Sequence, residues 1–107
     1  MIDQMKAKDL YQKISVDHNL HVIDVRDQDV FARGHIPGAL NNPNQRLQAA
    51  PNFVPDNHPV VLYGEDDSGS EDIEKSAQLL QELGLEVHIL SGGLAAWTSA
   101  GLPIETE

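Results

Sequence analysis

Val60-Val61-Leu62-Tyr63-Gly64-Glu65-Asp66-Asp67-Ser68-Gly69-Ser70 decides how the rest of the chain is read. Four β-favouring residues run into a glycine, three carboxylates follow, and small residues lead into a helical pattern. This is a strand, a tight loop and a helix start, the place where α/β proteins hold anions on backbone N–H groups. An anion cradle is expected to carry Arg or Lys as well. This loop carries Glu65, Asp66 and Asp67, with no base and no cysteine. The spacing predicts the shape of an anion site with its charge reversed.

Downstream, Ile73, Ala77, Leu80 and Leu83 form an apolar stripe that predicts a helix over 70–83, with Gly84 just past its end. Ser68 and Glu71 have the spacing of a capping box. Residues 85–90 read as a strand. Ser91-Gly92-Gly93 then turns into a last helix carrying Leu94, Ala95, Ala96 and Trp97. Gly101 and Pro103 stop it, and Ile104 is expected to fold back on the body.

Upstream, Ile2 starts a short first strand, and Ala7, Leu10, Tyr11 and Ile14 recur at helical spacing until Ser15 and Asp17. Residues 20–26 are the second strand. Val22, Ile23 and Val25 imply burial on both faces, as in a central parallel strand. Asp24 in that company needs a partner, because an unpaired buried carboxylate is very costly. A structural pairing of Asp24 and Arg26 is the expectation, ahead of a catalytic role. Residues 27–33 read as a short helix with Asp27 as N-cap and Val30 and Phe31 inward. A turn at 34–38, a third strand at 39–42 and a weak helix at 43–50 follow. Pro51, Pro55 and Pro59 argue for a loop before the fourth strand.

Strands thus alternate with helices throughout. The expected class is α/β: a five-stranded parallel sheet flanked by helices on both faces, in a single domain over residues 1–107. Gly64 to Gly69, the Asp24–Arg26 segment and the Ser91–Gly93 turn then all fall at the carboxyl ends of strands.

With 107 residues and 40% apolar composition, the chain can bury a core without staples. No cysteine is present, which excludes disulfides, thiolate metal sites and a persulfide carried by the chain itself. Seven basic residues against 17 acidic ones leave a charge of −10, which repels nucleic acid and anionic lipid. An acidic, well-hydrated surface and a basic protein partner are both compatible with it. The apolar runs are too short to span a bilayer, and residues 1–13 lack a signal-peptide core, so a cytoplasmic location is expected by default.

Glu65, Asp66 and Asp67, with Ser68, Ser70, Glu71 and Asp72, offer oxygen ligands, but the register does not match a calcium loop. Carboxylates at a helix start also stabilise it directly, by about 0.3–1 kcal/mol each. The histidines at 18, 21, 35, 58 and 88 show no metal-site spacing. No metal and no cofactor is expected. His35 reads as a structural part of the 34–38 turn, and Trp97 as core.

Val22-Ile23-Asp24-Val25-Arg26, Gly34-His35-Ile36-Pro37-Gly38-Ala39, Val60-Val61-Leu62-Tyr63 and Gly92-Gly93-Leu94-Ala95-Ala96-Trp97 together resemble a rhodanese domain over nearly the whole length. The first two, at their mutual spacing, are the specific part. The resemblance implies a small α/β fold with a five-stranded parallel sheet. In active members a cysteine directly after the fourth strand takes sulfur from a donor such as thiosulfate and passes it to an acceptor. The loop after it cradles the anion and usually carries Arg or Lys. Here Gly64 stands at the cysteine's position, Gly69 roughly at the basic residue's, and Ser70 keeps the small hydroxyl residue that begins the helix. The stretch up to Gly84 is a few residues longer than in short sulfurtransferases.

The resemblance therefore implies a catalytically inactive rhodanese-like module. Gly64, Glu65, Asp66, Asp67, Ser68, Gly69 and Ser70 would be a vestigial active-site loop, open to a protein partner, with Asp24, Arg26 and His35 as structural neighbours. The alternative is a sulfurtransferase-related enzyme that works with an external thiol or runs a different chemistry in the same pocket. A positive φ at Gly64, disfavouring a β-carbon, is a further expectation.

Overall fold

The computed structural model describes residues 2–17, 19–50, 59–67 and 70–106. Strands β1 (Asp3–Met5), β2 (His21–Asp24), β3 (Leu40–Asn41), β4 (Val60–Tyr63) and β5 (Val87–Leu90) alternate with helices α1 (Ala7–Val16), α2 (Gln28–Arg33), α3 (Asn44–Ala49), α4 (Ser70–Glu82) and α5 (Gly93–Ser99). The strands form one sheet in the order β1-β5-β4-β2-β3, and every pairing is parallel. The three central strands β2, β4 and β5, each four residues long and rich in apolar side chains, bury both faces between the helices, as a doubly covered parallel sheet requires.

Alternation along the strands sorts the core into two layers. Ile23, Val60, Leu62, Val87 and Ile89 face α3 and α4, where they meet Leu47, Ile73, Ala77 and Leu80. Val22, Val61, Tyr63 and Leu90 face α1, α2 and α5, against Leu10, Phe31, Leu94 and Trp97. Both faces of β4 are fully enclosed. Each such side chain contributes about 1.5–3 kcal/mol relative to exposure. Trp97 is buried, donates its indole N–H to the Pro103 carbonyl at 2.6 Å, and stands edge-on to Tyr11.

Several boundaries differ from the sequence-based expectation. β1 begins at Asp3, and Ile2 is instead buried in the α3–α4 layer. α1 runs on to Val16, because Ser15 turns its hydroxyl back to the Tyr11 carbonyl and stays helical. β2 is only four residues long, since the chain bends once Val25 N–H has donated to the Tyr63 carbonyl. Asp27 occupies the N-cap of α2 without a side-chain capping bond. Leu83 lies past the end of α4 and is half exposed, so it does not extend the apolar stripe. Gly84 turns the chain there with φ +90°. Ile104 is also half exposed, although its tip lies against Gly34. The Pro51–Pro59 loop falls outside the described residues except for Pro59, as does Ser68 of the proposed capping box.

Parallel strands bring their carboxyl ends to one side of the sheet. The segments after β2, β4 and β5 therefore converge, and the candidate site lies among them.

Candidate functional site

Asp24, the last residue of β2, is completely buried. Arg26 folds back over it. Its backbone N–H donates to Asp24 Oδ1 at 2.9 Å, its Nε lies 3.0 and 3.1 Å from the two carboxylate oxygens, and Nη2 reaches Oδ2 at 2.7 Å. Nη2 also donates to the Gly34 carbonyl at 2.6 Å, which ties the pair to the 34–38 turn. Asn41 on the neighbouring strand donates its amide to the Asp24 and Arg26 carbonyls. Burial opposes the charge on Arg26, but the hydrogen bonds to Asp24, its attraction and the bond to Glu65 outweigh it. The guanidinium therefore holds its proton above the ordinary arginine range.

Tyr63, the last residue of β4, accepts the Ile36 N–H on its phenol oxygen at 3.1 Å. Burial, and then the negative charge of Asp24, push its ionisation well above the ordinary phenol range. The Ile36 hydrogen bond and Arg26 pull weakly the other way. His35 is buried in the same turn, stacked on Phe31 at 3.8 Å with its Nδ1 2.9 Å from the Phe31 carbonyl. Its backbone pairs with Glu105. The ring faces protein on these sides and has no place in the loop after β4.

That loop is held from two directions. Arg26 Nη1 donates to Glu65 Oε1 at 2.9 Å, so the segment after β2 supplies the base that the loop itself lacks. On the other side, Gly92 N–H donates to Asp67 Oδ1 at 2.9 Å. Leu94 N–H and Ala95 N–H donate to the carbonyls of Gly64 and Glu65. The N-terminus of α5 is thereby spent on the loop's own carbonyls. The loop's acidity is not a uniform free field: Glu65 and Asp67 have partners within the chain, and Glu65 remains 60% exposed.

Gly64 does not have a positive φ, and a β-carbon built on it would meet nothing within 4 Å. The expectation of backbone strain at Gly64 is therefore overturned. Beside this loop, the glycines held at positive φ are Gly92 and Gly93, with φ +77° and +59°. A cleft of about 180 Å³ opens beside Gly64, walled by Val25, Arg26, Asn44, Glu65, Asp66 and Asp72. Asn44 is fixed there through Ser76, whose hydroxyl donates to Asn44 Oδ1 at 2.7 Å. Gly69 lies outside the described residues, and Ser70 begins α4.

The rhodanese-like domain matches residues 6–100 of the chain. The chain belongs to the rhodanese-like family. Over 104 residues it is 30% identical to a sulfurtransferase of Allochromatium vinosum, covering 97% of this chain and 95% of that protein. It is 32% identical to the thiosulfate sulfurtransferase GlpE of Shewanella oneidensis over 83 residues, covering 77% of this chain and 79% of the relative. The solution structure of a rhodanese-like domain from an Anabaena protein superposes with a TM-score of 0.81 at 32% identity, covering all of this chain and 81% of that one. In this rhodanese-like domain Gly64 directly follows β4, and the chain contains no cysteine at all.

The sequence reading brought Asp24, Arg26 and the loop to one end of the sheet. It missed the cross-links that hold the loop: Arg26 to Glu65, Asp67 to Gly92, and the α5 N–H groups to Gly64 and Glu65. The paired glycines at 92 and 93 were the legible signal, since two adjacent positive-φ glycines mark a close approach of backbones.

Proposed function

We propose that this rhodanese-like domain does not transfer sulfur itself and acts as a binding module through the loop after β4. Gly64 carries the reading. A glycine offers no nucleophile, and without one no covalent sulfur intermediate can form on this chain. The carboxylates of Glu65, Asp66 and Asp67 are exposed and would repel a dianionic donor such as thiosulfate. A basic protein partner at Glu65, Asp66 and Asp67 fits their charge, and the overall −10 disfavours nucleic acid and anionic membrane. A cytoplasmic location belongs to the same reading. Among the described residues no helix is long and apolar enough to cross a membrane.

A thiosulfate:cyanide assay on the pure protein tests the first part, with no turnover expected above a heat-killed control. The second reading, sulfur transfer with an external thiol, is favoured by the open cleft beside Gly64 and by the names of its relatives. The same assay with added small thiol addresses it, and thiol-dependent turnover above the protein-free rate would replace the inactive reading. Partner binding is tested by pull-down with the wild type and with a Glu65→Gln, Asp66→Asn, Asp67→Asn variant. Equal recovery of every partner would remove the loop as a docking surface.

A further inference from the structure

A second cleft opens at the edge of the sheet, beside β3. It measures about 360 Å³ and is lined by Gln28, Phe31, Ala32, Asn41, Pro43 and Arg46, none of which borders the cleft beside Gly64. β3 is an edge strand. In a parallel ladder, successive residues point their backbone groups to alternate sides. Asn42 N–H donates inward to the Asp24 carbonyl at 2.9 Å, so Asn41 directs its own N–H and carbonyl outward, away from β2. The Asn41 side chain is held by its bonds to the Asp24 and Arg26 carbonyls, at 3.1 and 2.9 Å, which fixes that outward edge in place. Arg46 is exposed on α3 and has no ion-pair partner among the described residues. Phe31, Ala32 and Pro43 supply an apolar floor.

We infer that this cleft binds the C-terminal residue of a peptide. The Asn41 N–H and carbonyl pair with its backbone, Arg46 takes its terminal carboxylate, and an apolar side chain rests on Phe31, Ala32 and Pro43. Open sheet edges recognise extended peptides through such main-chain bonds. A free carboxylate would leave the Asn41 backbone unused, and a mid-chain segment would leave Arg46 unpaired, whereas a chain end satisfies both. The volume lies at the low end of the range of about 300–1,000 Å³ for ligand clefts, which suits a chain end better than a long segment. The −10 charge of the chain disfavours peptides with further acidic residues. This site is separate from the loop after β4 and does not rest on the reading of that loop.

The probe is acetyl-Lys-Ala-Leu with a free carboxylate, titrated into the whole chain and followed by backbone amide NMR. It is compared with the same peptide ending in a carboxamide and with 4-methylpentanoate, which is leucine without its α-amine. The free-acid peptide shifts the Asn41 N–H and the amides around Arg46, and it binds at least about threefold tighter than either comparison ligand. The carboxamide form is net positive and the −10 chain attracts it, so a preference for the free acid runs against the overall field and reports Arg46. Arg46→Gln changes an exposed side chain, leaves the fold intact, and brings free acid and carboxamide within about twofold of each other. Arg33→Gln removes an equal charge outside the cleft and leaves the wild-type preference unchanged within about twofold. A smaller preference for the free acid, 4-methylpentanoate binding as tightly as the peptide, equal effects of the two arginine variants, or shifts confined to other surfaces would each overturn the site. Absence of any shift at about 10 mM peptide would overturn it as well. Thiosulfate turnover and the variant of residues 65–67 play no part in these outcomes, so failure here leaves the reading of the acidic loop standing, and the reverse.

Discussion

Gly93 approaches Gly64 so closely that a β-carbon on Gly93 would lie 2.6 Å from the Gly64 carbonyl oxygen. The same atom would come within 2.8 Å of the Asp66 nitrogen. The loop after β4 and the start of α5 are thus one packed unit, with the Leu94 and Ala95 N–H groups bonded to the loop carbonyls.

Gly93→Ala is expected to be the most damaging glycine substitution at this end of the sheet. The left-handed φ costs about 1–2 kcal/mol for any residue with a β-carbon, and the backbone clash adds about 1–3 kcal/mol. Urea denaturation should show a loss of about 2–5 kcal/mol. Gly101→Ala, with φ +75° but nothing within 4 Å of the new carbon, should lose less than half as much. Equal losses would mean that the contact with Gly64 carries no energetic weight.

Gly64→Cys should fold normally, with stability within about 1 kcal/mol of wild type, because the added side chain enters open space. It should nevertheless be a poor sulfurtransferase. At ~7 Å and an effective dielectric of ~40–80, each nearby carboxylate opposes a thiolate by roughly 0.6–1.2 kcal/mol before screening. Arg26 offers limited relief, since Asp24 and Glu65 already share its charge. The comparison is thiosulfate:cyanide turnover of Gly64→Cys against a variant that adds neutral residues at 65–67 and Gly69→Arg. Equal turnover in both would defeat the electrostatic explanation.

Arg26→Leu should cost roughly 3–5 kcal/mol, because it leaves the fully buried Asp24 carboxylate without its ion-pair partner. The double variant Asp24→Asn, Arg26→Leu should recover part of that loss. Chemical denaturation of the single and double variants gives the answer, and a double variant no more stable than Arg26→Leu alone would contradict the assignment.

Tyr63 predicts a specific alkaline behaviour. Its folded-state ionisation is raised, so above the ordinary phenol value of about 10 the unfolded chain loses a proton that the folded chain keeps. Unfolding is then favoured by up to about 1.4 kcal/mol per pH unit, a contribution intact below pH ~10 and lost progressively above it. Tyr63→Phe removes this titration along with the hydrogen bond from Ile36 N–H. The variant should be about 0.5–1.5 kcal/mol less stable at neutral pH, and the gap should close as pH rises beyond ~10. A gap that stays constant to pH 11 would show that the Tyr63 phenol ionises alike in both states.

Much of this protein could be read from local pattern. The spacing of Ile73, Ala77 and Leu80, the apolar residues Val22, Ile23 and Val25, the apolar run at 60–63, and the paired glycines at 92 and 93 each report a periodicity or a backbone requirement that lies within a few residues. These determined the strand–helix alternation, the parallel sheet and the end of the sheet where a site belongs. The absence of cysteine needed no structure either, because composition alone shows it. Where strand and helix ends fall was less legible: Ser15 continues α1 and Leu83 drops out of α4, since ends depend on what neighbouring elements bury. The state of the acidic loop was decided only by tertiary structure. Glu65 meets Arg26 across 39 positions of sequence, and Asp67 meets Gly92 across 25. Those distances close because a parallel sheet delivers the carboxyl ends of β2, β4 and β5 to one edge. Residue type can announce a charge, but only that convergence determines which charges are already paired.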